Sequence, residues 1–272
     1  MYQFFVEDAQ IGKEFITITG SDVNHIKNVL RMKPGEKIRV SNQQGKDYYC
    51  EILELGDDFV QADILDSEAA GTELGAKIFL FQALPKGDRM ETVIQKAVEL
   101  GVYEIIPVAM KYCVVKLDAK KAENKKKRWQ AIAESAAKQS KRSRIPVVHE
   151  VMDFASAVEY AKNCQVNLVP YENERGMVAT REALDSLHAK DSISVMIGPE
   201  GGFSEEEIEK VRAEHMQVIS LGKRILRTDT AAIATLSLLM LELEMMEAEQ
   251  EKWWKHIWTI QRQRGAQTGH LR

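Results

Sequence analysis

The sequence predicts an α/β protein in two parts, a small all-β unit followed by a larger unit built on a mainly parallel sheet. Three observations carry this. The chain has 272 residues with 44% hydrophobic content, enough for a proper core and more than the roughly 100 to 200 residues usual for one domain. Its first 70 or so residues read as short strands rich in β-branched and aromatic side chains. From Lys77 onward, strand-like and helix-like segments alternate, which implies a parallel sheet covered by helices.

In the first unit, residues 4–6, 13–19, 36–41, 48–55 and 59–65 are the strand candidates, separated by turn signals such as Q-Q-G-K and G-D-D. Together they predict a small barrel. One helix interrupts them over residues 23–30, where Ser21 or Asp22 can cap and Pro34 with Gly35 can stop it. Residues 67–76 are small, polar and glycine-containing, so the boundary is placed there, dividing the chain into residues 1–72 and 73–250. The second unit opens with the continuous apolar run 78–84, of buried-strand type. A helix follows with Met90, Val93, Ile94, Ala97 and Val98 on one face, capping-box spacing at Asp88 and Glu91, and a stop at Gly101. Strand-like 105–108 precedes a basic helix through Trp129 and Ile132. Further strands are predicted at 146–151, 166–170, 193–198 and 217–222, with helical segments between them. The last helix, Thr230 to about Glu247, is apolar almost all round for three turns and must be buried, in the core or at a subunit interface. Residues 251–272 hold three of the four tryptophans and a polar end, and join no periodic element. They read either as an RNA-stacking tail or as a disordered or non-native extension.

Composition excludes several classes. No window approaches the ~18 apolar residues of a membrane span, and the N-terminus lacks the basic and apolar regions of a signal peptide, so a cytoplasmic protein is expected. Cys50, Cys113 and Cys164 are too far apart for a zinc or redox pair and are expected as reduced thiols. The six histidines show no metal-ligand spacing and no G-x-S-x-G elbow exists, so no metal is expected. The net charge of −4 conceals a basic run: residues 111–144 hold twelve Lys or Arg against three Asp or Glu. Residues 21–46 hold six against two. One such run is usually a solvated face, but two in an otherwise acidic chain point to a polyanionic partner, which senses local potential.

Two glycine turns carry the candidate chemistry. The stretch I-G-P-E-G-G-F-S-E-E-E-I-E, residues 197–209, lies between a strand and a helix whose start is marked by the capping-box pair Ser204 and Glu207. Open α/β sheets bind ligands beyond such strand ends. A phosphate loop needs G-K-[S/T] or G-x-G-x-x-G, and neither is present; Glu200 and the acidic residues 205–207 also disfavour phosphate. The turn then either walls a different ligand or only supplies positive φ. The second turn, S-L-G-K-R-I-L-R-T-D-T-A, puts Ile225 and Leu226 into a loop, and Thr228 or Asp229 can cap the final helix. Apolar loop residues between glycines suit a flat uncharged or cationic ligand. Arg227, the charged group nearest that turn, either serves function or pairs with Asp229 or Glu200.

These paired motifs resemble the signature of the SPOUT-class ribosomal RNA methyltransferases, specifically the RsmE family. The resemblance extends to H-I-K-N-V-L-R-M-K-P-G-E, K-G-D-R-M-E-T-V-I-Q-K-A-V-E-L-G-V and R-W-Q-A-I-A-E-S-A-A-K-Q-S-K-R, with Lys141 standing where the family more often has glycine. It implies a PUA-like RNA-binding barrel, then a SPOUT α/β domain with a C-terminal trefoil knot, acting as a homodimer. It also implies transfer of a methyl group from S-adenosylmethionine to N3 of a uridine in 16S ribosomal RNA of the small subunit. The positions matching the family's cofactor loops are Pro170 and Glu172, then Ile197, Gly198, Pro199, Glu200 and Gly201, and finally Leu221, Gly222, Ile225 and Leu226. Arg227 is the expected catalytic residue. Arg31, Lys33, Lys86, Arg89, Arg142 and Arg144 are the expected RNA contacts. A SPOUT enzyme acting on another RNA or atom, and a non-catalytic RNA-binding assembly protein, remain open on the sequence.

Overall fold

The structure, a computed structural model, describes the backbone of residues 1–69 and 71–268 and the side chains of these residues through 250 and of Lys252. In the first unit, β1 (Tyr2–Phe5), β2 (Phe15–Thr19), β3 (Lys37–Ser41), β4 (Lys46–Leu55) and β5 (Phe59–Ala69) form one sheet of order β1-β3-β4-β5-β2. The β1–β3 pair is parallel and the rest antiparallel. The predicted small barrel takes the form of a curled sheet, bent where bulges interrupt β4–β5 at Tyr49/Cys50 and Ile52/Glu54. Alternate residues, among them Ile16, Ile18, Ile38, Val40, Cys50, Ile52 and Val60, fill its core. The short helix α1 (Ser21–Asn24) continues as a π-helical turn, His25–Val29. Its cap differs from expectation. Gly20, at φ 77, is the N-cap and no side chain caps it; the segment ends at Arg31, φ 54, before Pro34 is reached.

Among the described residues, the second unit has seven strands: β6 (Lys77–Ala83), β7 (Glu104–Ala109), β8 (Val147–Val148), β9 (Met152–Asp153), β10 (Val166–Pro170), β11 (Ser192–Ile197) and β12 (Gln217–Ile219). All pair in parallel, in the order β12-β10-β11-β6-β7-β8, with β9 also on β7. The single strand predicted at 146–151 is thus split. β8 pairs with Glu104 and Ile105, and β9 with Val108 and Ala109, so the break falls opposite Pro107, which has no amide hydrogen to donate.

The helices are α2 (Arg89–Glu99), α3 (Ala119–Ser140), α4 (Phe154–Ala161), α5 (Val178–Asp185), α6 (Glu205–Ala213) and α7 (Thr228–Thr268). The Asp88/Glu91 capping box does not form: Asp88 makes no side-chain cap bond, and Arg128 and Lys125 of α3 take the Glu91 carboxylate. The final helix starts earlier than Thr230 and runs through most of the predicted tail to Thr268; residues 269–272 lie outside the described residues. Burial pushes the Cys50 thiol up to about 12 and the Cys164 thiol up to about 11, so both stay protonated.

The turn after α3 joins the two units. Lys141, at φ 62, caps the helix in the left-handed conformation that usually selects glycine. The next two residues reach across the junction. Gln3 Nε2 donates to the Arg142 carbonyl at 2.5 Å, Ser41 Oγ to the Ser143 carbonyl at 2.6 Å, and Ser143 Oγ to Asp47 at 2.7 Å.

Candidate functional site

Because β12, β10 and β11 are parallel neighbours, their C-terminal ends point the same way and the loops that follow them meet. They enclose a cavity of about 540 Å³, within the range of small-molecule sites. Pro170 and Glu172 line it from the loop after β10, and Ile197, Gly198, Pro199, Glu200 and Gly201 from the end of β11 and its loop. Leu221, Gly222, Ile225, Leu226 and Arg227 line it from the loop after β12. All twelve residues singled out for the cofactor and for catalysis therefore border one space. Tyr171, Asn173, Arg175, Phe203, Lys223, Arg224, Thr228 and Ala231 border it as well. Phe203, Lys223, Arg224, Thr228 and Ala231 lie within the two quoted motifs, and Tyr171, Asn173 and Arg175 lie within three residues of Glu172.

Hydrogen bonds and close packing hold the walls. Thr228 lies inside α7 rather than capping it; its buried hydroxyl accepts from Gln82 Nε2 at 2.9 Å and donates to the Gly198 carbonyl at 2.7 Å. One side chain thus fixes the start of α7 to the end of β6 and to the loop after β11. Thr180 holds the third loop, donating to the Ser220 carbonyl at 2.8 Å and accepting from its amide at 3.1 Å. Gly201 packs against Tyr112, and a Cβ on Gly202, at φ 72, would overlap the Glu172 carboxylate. The Ser204/Glu207 capping box forms as its spacing predicts, and Glu207 also accepts from the Lys111 amide at 2.9 Å.

Two carboxylates and several cations face this cavity. Burial pushes the Glu200 carboxyl up, but hydrogen bonds from the Lys86 amide and its own amide, together with Arg89, hold it below the usual range. The Arg89–Glu200 pair, at 2.8 Å, removes Glu200 as a partner for Arg227. Arg227 is exposed immediately before α7, next to a cavity wall that includes Ile225, 85% exposed.

The predicted RNA contacts do not share one environment. Arg31, Lys33 and Lys86 are exposed, and Arg89 is half-buried against Glu200. Arg142 is a correction. It is 3% exposed, its guanidinium is clamped by Glu73, and it donates to the Val102 carbonyl at 2.6 Å and the Val98 carbonyl at 3.2 Å. With its donors spent inside the junction, it cannot reach RNA. Arg144 is half-buried on the ring of Tyr103.

Residues 72–240 match the RNA methyltransferase domain family, and residues 18–65 the RNA methyltransferase PUA domain family. The chain belongs to the RNA methyltransferase family. It is 36% identical to ribosomal RNA small subunit methyltransferase E of Bacillus subtilis, over 86% of this chain and 93% of the relative. Among solved structures, it is similar to a ribosomal RNA small subunit methyltransferase E from Neisseria gonorrhoeae bound to S-adenosyl methionine, at 31% identity and TM-score 0.77, covering 89% of this chain and 97% of that one. It is also similar to a putative methyltransferase from Legionella pneumophila in complex with S-adenosylmethionine, at 31% identity and TM-score 0.78, covering 88% and 97%. In this family member, the two signature loops of the sequence lie on one cavity.

Proposed function

We propose that the protein uses S-adenosylmethionine to methylate N3 of a specific uridine in 16S ribosomal RNA of the small subunit. In this reading it acts in the cytoplasm as a homodimer, with its C-terminal segment threaded as a trefoil knot. The observation that carries the reading is the convergence of the three loops on one cavity, in a chain similar to structures that hold this cofactor. The lining fits the group: Ile197, Leu221 and Leu226 suit an uncharged ring, and Glu172 supplies a carboxylate that suits a sulfonium.

When bound, S-adenosylmethionine would supply an electrophilic methyl group, its sulfonium leaving as the neutral thioether of S-adenosylhomocysteine. Uracil N3 carries a proton in neutral uridine and becomes nucleophilic as it loses it. Arg227, at the cavity rim and at the positive end of α7, orients the base and stabilises the charge that develops on its carbonyl oxygens. Replacing Arg227 with Ala is expected to leave cofactor binding intact, read by calorimetry, and to abolish methylation; full turnover would remove this role. Primer extension on 16S RNA after incubation with enzyme and cofactor is expected to show a new stop, because N3 methylation blocks pairing. No stop would overturn the uridine-N3 assignment. For the dimer, Leu238, Leu241 and Met245 form an exposed apolar stripe on one face of α7. Sedimentation as a monomer would count against it.

A further inference from the structure

We infer that a second cavity, at the junction of the two units, is an anion site that takes one phosphate of the RNA backbone between Lys77 and Arg144. This deepens the reading of the protein as an enzyme acting on RNA and rests on it for the identity of the anion's carrier. The cavity, about 240 Å³, is walled by the Gln43 to Gly45 turn of the first unit and by residues of the second. Lys77 opens β6, Tyr103 immediately precedes β7, and Arg144 shortly precedes β8. It therefore lies at the N-terminal edge of the parallel sheet, whereas the methyl-transfer cavity lies at the C-terminal edge. At ~3.3 Å per residue, a strand the length of β6 separates the two by roughly 20 Å.

The charges here are unbalanced. The Arg144 guanidinium carbon sits 3.6 Å from the centroid of the Tyr103 ring, and Lys77 Nζ 4.8 Å from it. Two cations on one ring repel each other, and among the described residues neither makes an ion pair. The carboxylate in the wall is already committed: Glu73 is held by the Arg142 guanidinium and accepts from the Ser143 amide at 2.9 Å. Arg144 Nε is buried and has no hydrogen-bond partner. A buried donor of that kind is unfavourable unless something accepts from it. Arg144 first and Lys77 second also hold the Tyr103 phenol below its usual range, against burial, which pushes it up.

A phosphate supplies what this cluster lacks, namely negative charge and several strong acceptors on one small group. A free phosphate and an RNA phosphodiester share that chemistry. The placement favours RNA, because the cavity is bordered on one side by the unit that matches the PUA domain family.

The test uses the full chain in two arms. In the first, inorganic phosphate is titrated at constant ionic strength while the Arg144 Nε–H resonance is followed. A saturable shift absent with chloride is expected; no shift with phosphate would overturn the anion site. In the second, RNA affinity is measured against salt for the wild type and for the Lys77→Gln, Arg144→Gln double variant. Each lost phosphate contact is expected to flatten the slope of log affinity against log salt by roughly 0.7–0.9, with S-adenosylmethionine affinity unchanged. Equal slopes in two proteins that melt alike would overturn the assignment to RNA, as would lower affinity with an unchanged slope. Arg144→Lys, which keeps charge without the planar fork, should restore most of the slope. If the wild type bound phosphate here but no RNA, the proposed function would fail and the anion site would stand.

Discussion

Replacing Thr228 with Val tests whether one buried hydroxyl holds the cofactor cavity together. The side chains have nearly the same shape, so the substitution removes hydrogen bonds without opening a hole. Two are lost, the one accepted from Gln82 Nε2 and the one donated to the Gly198 carbonyl. Gln82 Nε2 carries two hydrogens and the Ala83 carbonyl, at 3.0 Å, keeps only one of them, so the groups left unpaired are the other Gln82 N–H, which is buried, and the Gly198 carbonyl. At about 1 kcal/mol net for each of the two bonds, plus about 1 kcal/mol for each of the two orphaned groups, the expected loss is about 4 kcal/mol. Urea unfolding of the Val variant measures it, with Thr228→Ser as the control that restores the hydroxyl. Gly198 and Thr228 both line the cavity, so S-adenosylmethionine affinity should fall with stability in the Val variant and recover in the Ser variant. A Val variant as stable as the wild type, with undiminished affinity, would refute the reasoning.

Three further outcomes follow from the same contacts. Replacing Glu73 with Ala leaves the Arg142 guanidinium buried without its anion and should cost about 3–5 kcal/mol in denaturant unfolding; a loss under 1 kcal/mol would mean that the junction does not depend on this pair. Replacing Lys141 with Gly relieves a left-handed conformation at φ 62 and forfeits an exposed bond to the Met1 carbonyl; a gain of about 0.5–1 kcal/mol is expected as a raised Tm. Glu200 is held below its ordinary value of 4.5, so the stability it contributes is complete above that value and is lost as pH falls through the lowered folded-state value. The stability difference between wild type and Glu200→Gln should therefore shrink on acidification, and a pH-independent difference would rule the coupling out.

The cavity was legible because its walls are short contiguous motifs. I-G-P-E-G-G-F-S and L-G-K-R-I-L-R-T each announce a loop between a strand and a helix, and the resemblance pairs them. What local sequence does not encode is which groups from distant segments compete for the same atom. Asp88 and Glu91 have capping-box spacing, yet the α3 cations reach Glu91 first. Thr228 has the composition of a cap, yet it lies within the helix because Gly198 and Gln82 offer its hydroxyl partners 30 and 146 residues away. Residues 146–151 have strand composition, but a proline on the neighbouring strand interrupts their ladder.

The basic run shows the same limit in electrostatics and changes where RNA should be sought. Counted along the chain, residues 111–144 carry twelve cations against three acids. In the fold, carboxylates from elsewhere close on that run: Glu206 on Lys111, Glu91 on Lys125 and Arg128, Glu150 on Lys126, Asp22 on Lys138 and Glu73 on Arg142. Acids of the run itself take Lys121 and Lys127. Among the described residues, that leaves Lys116, Lys120, Lys141 and Arg144 without an ion pair. Exposed pairs contribute little stability, but each still cancels charge at the distance of a Debye length, so the potential that a polyanion meets is far below the count of cations. Charge density along α3 is therefore a poor guide to the RNA path. Cations that folding leaves unbalanced, such as Arg144 with Lys77 on Tyr103 and Arg227 at the cavity rim, are the better one, because only they still lack the negative charge that RNA brings.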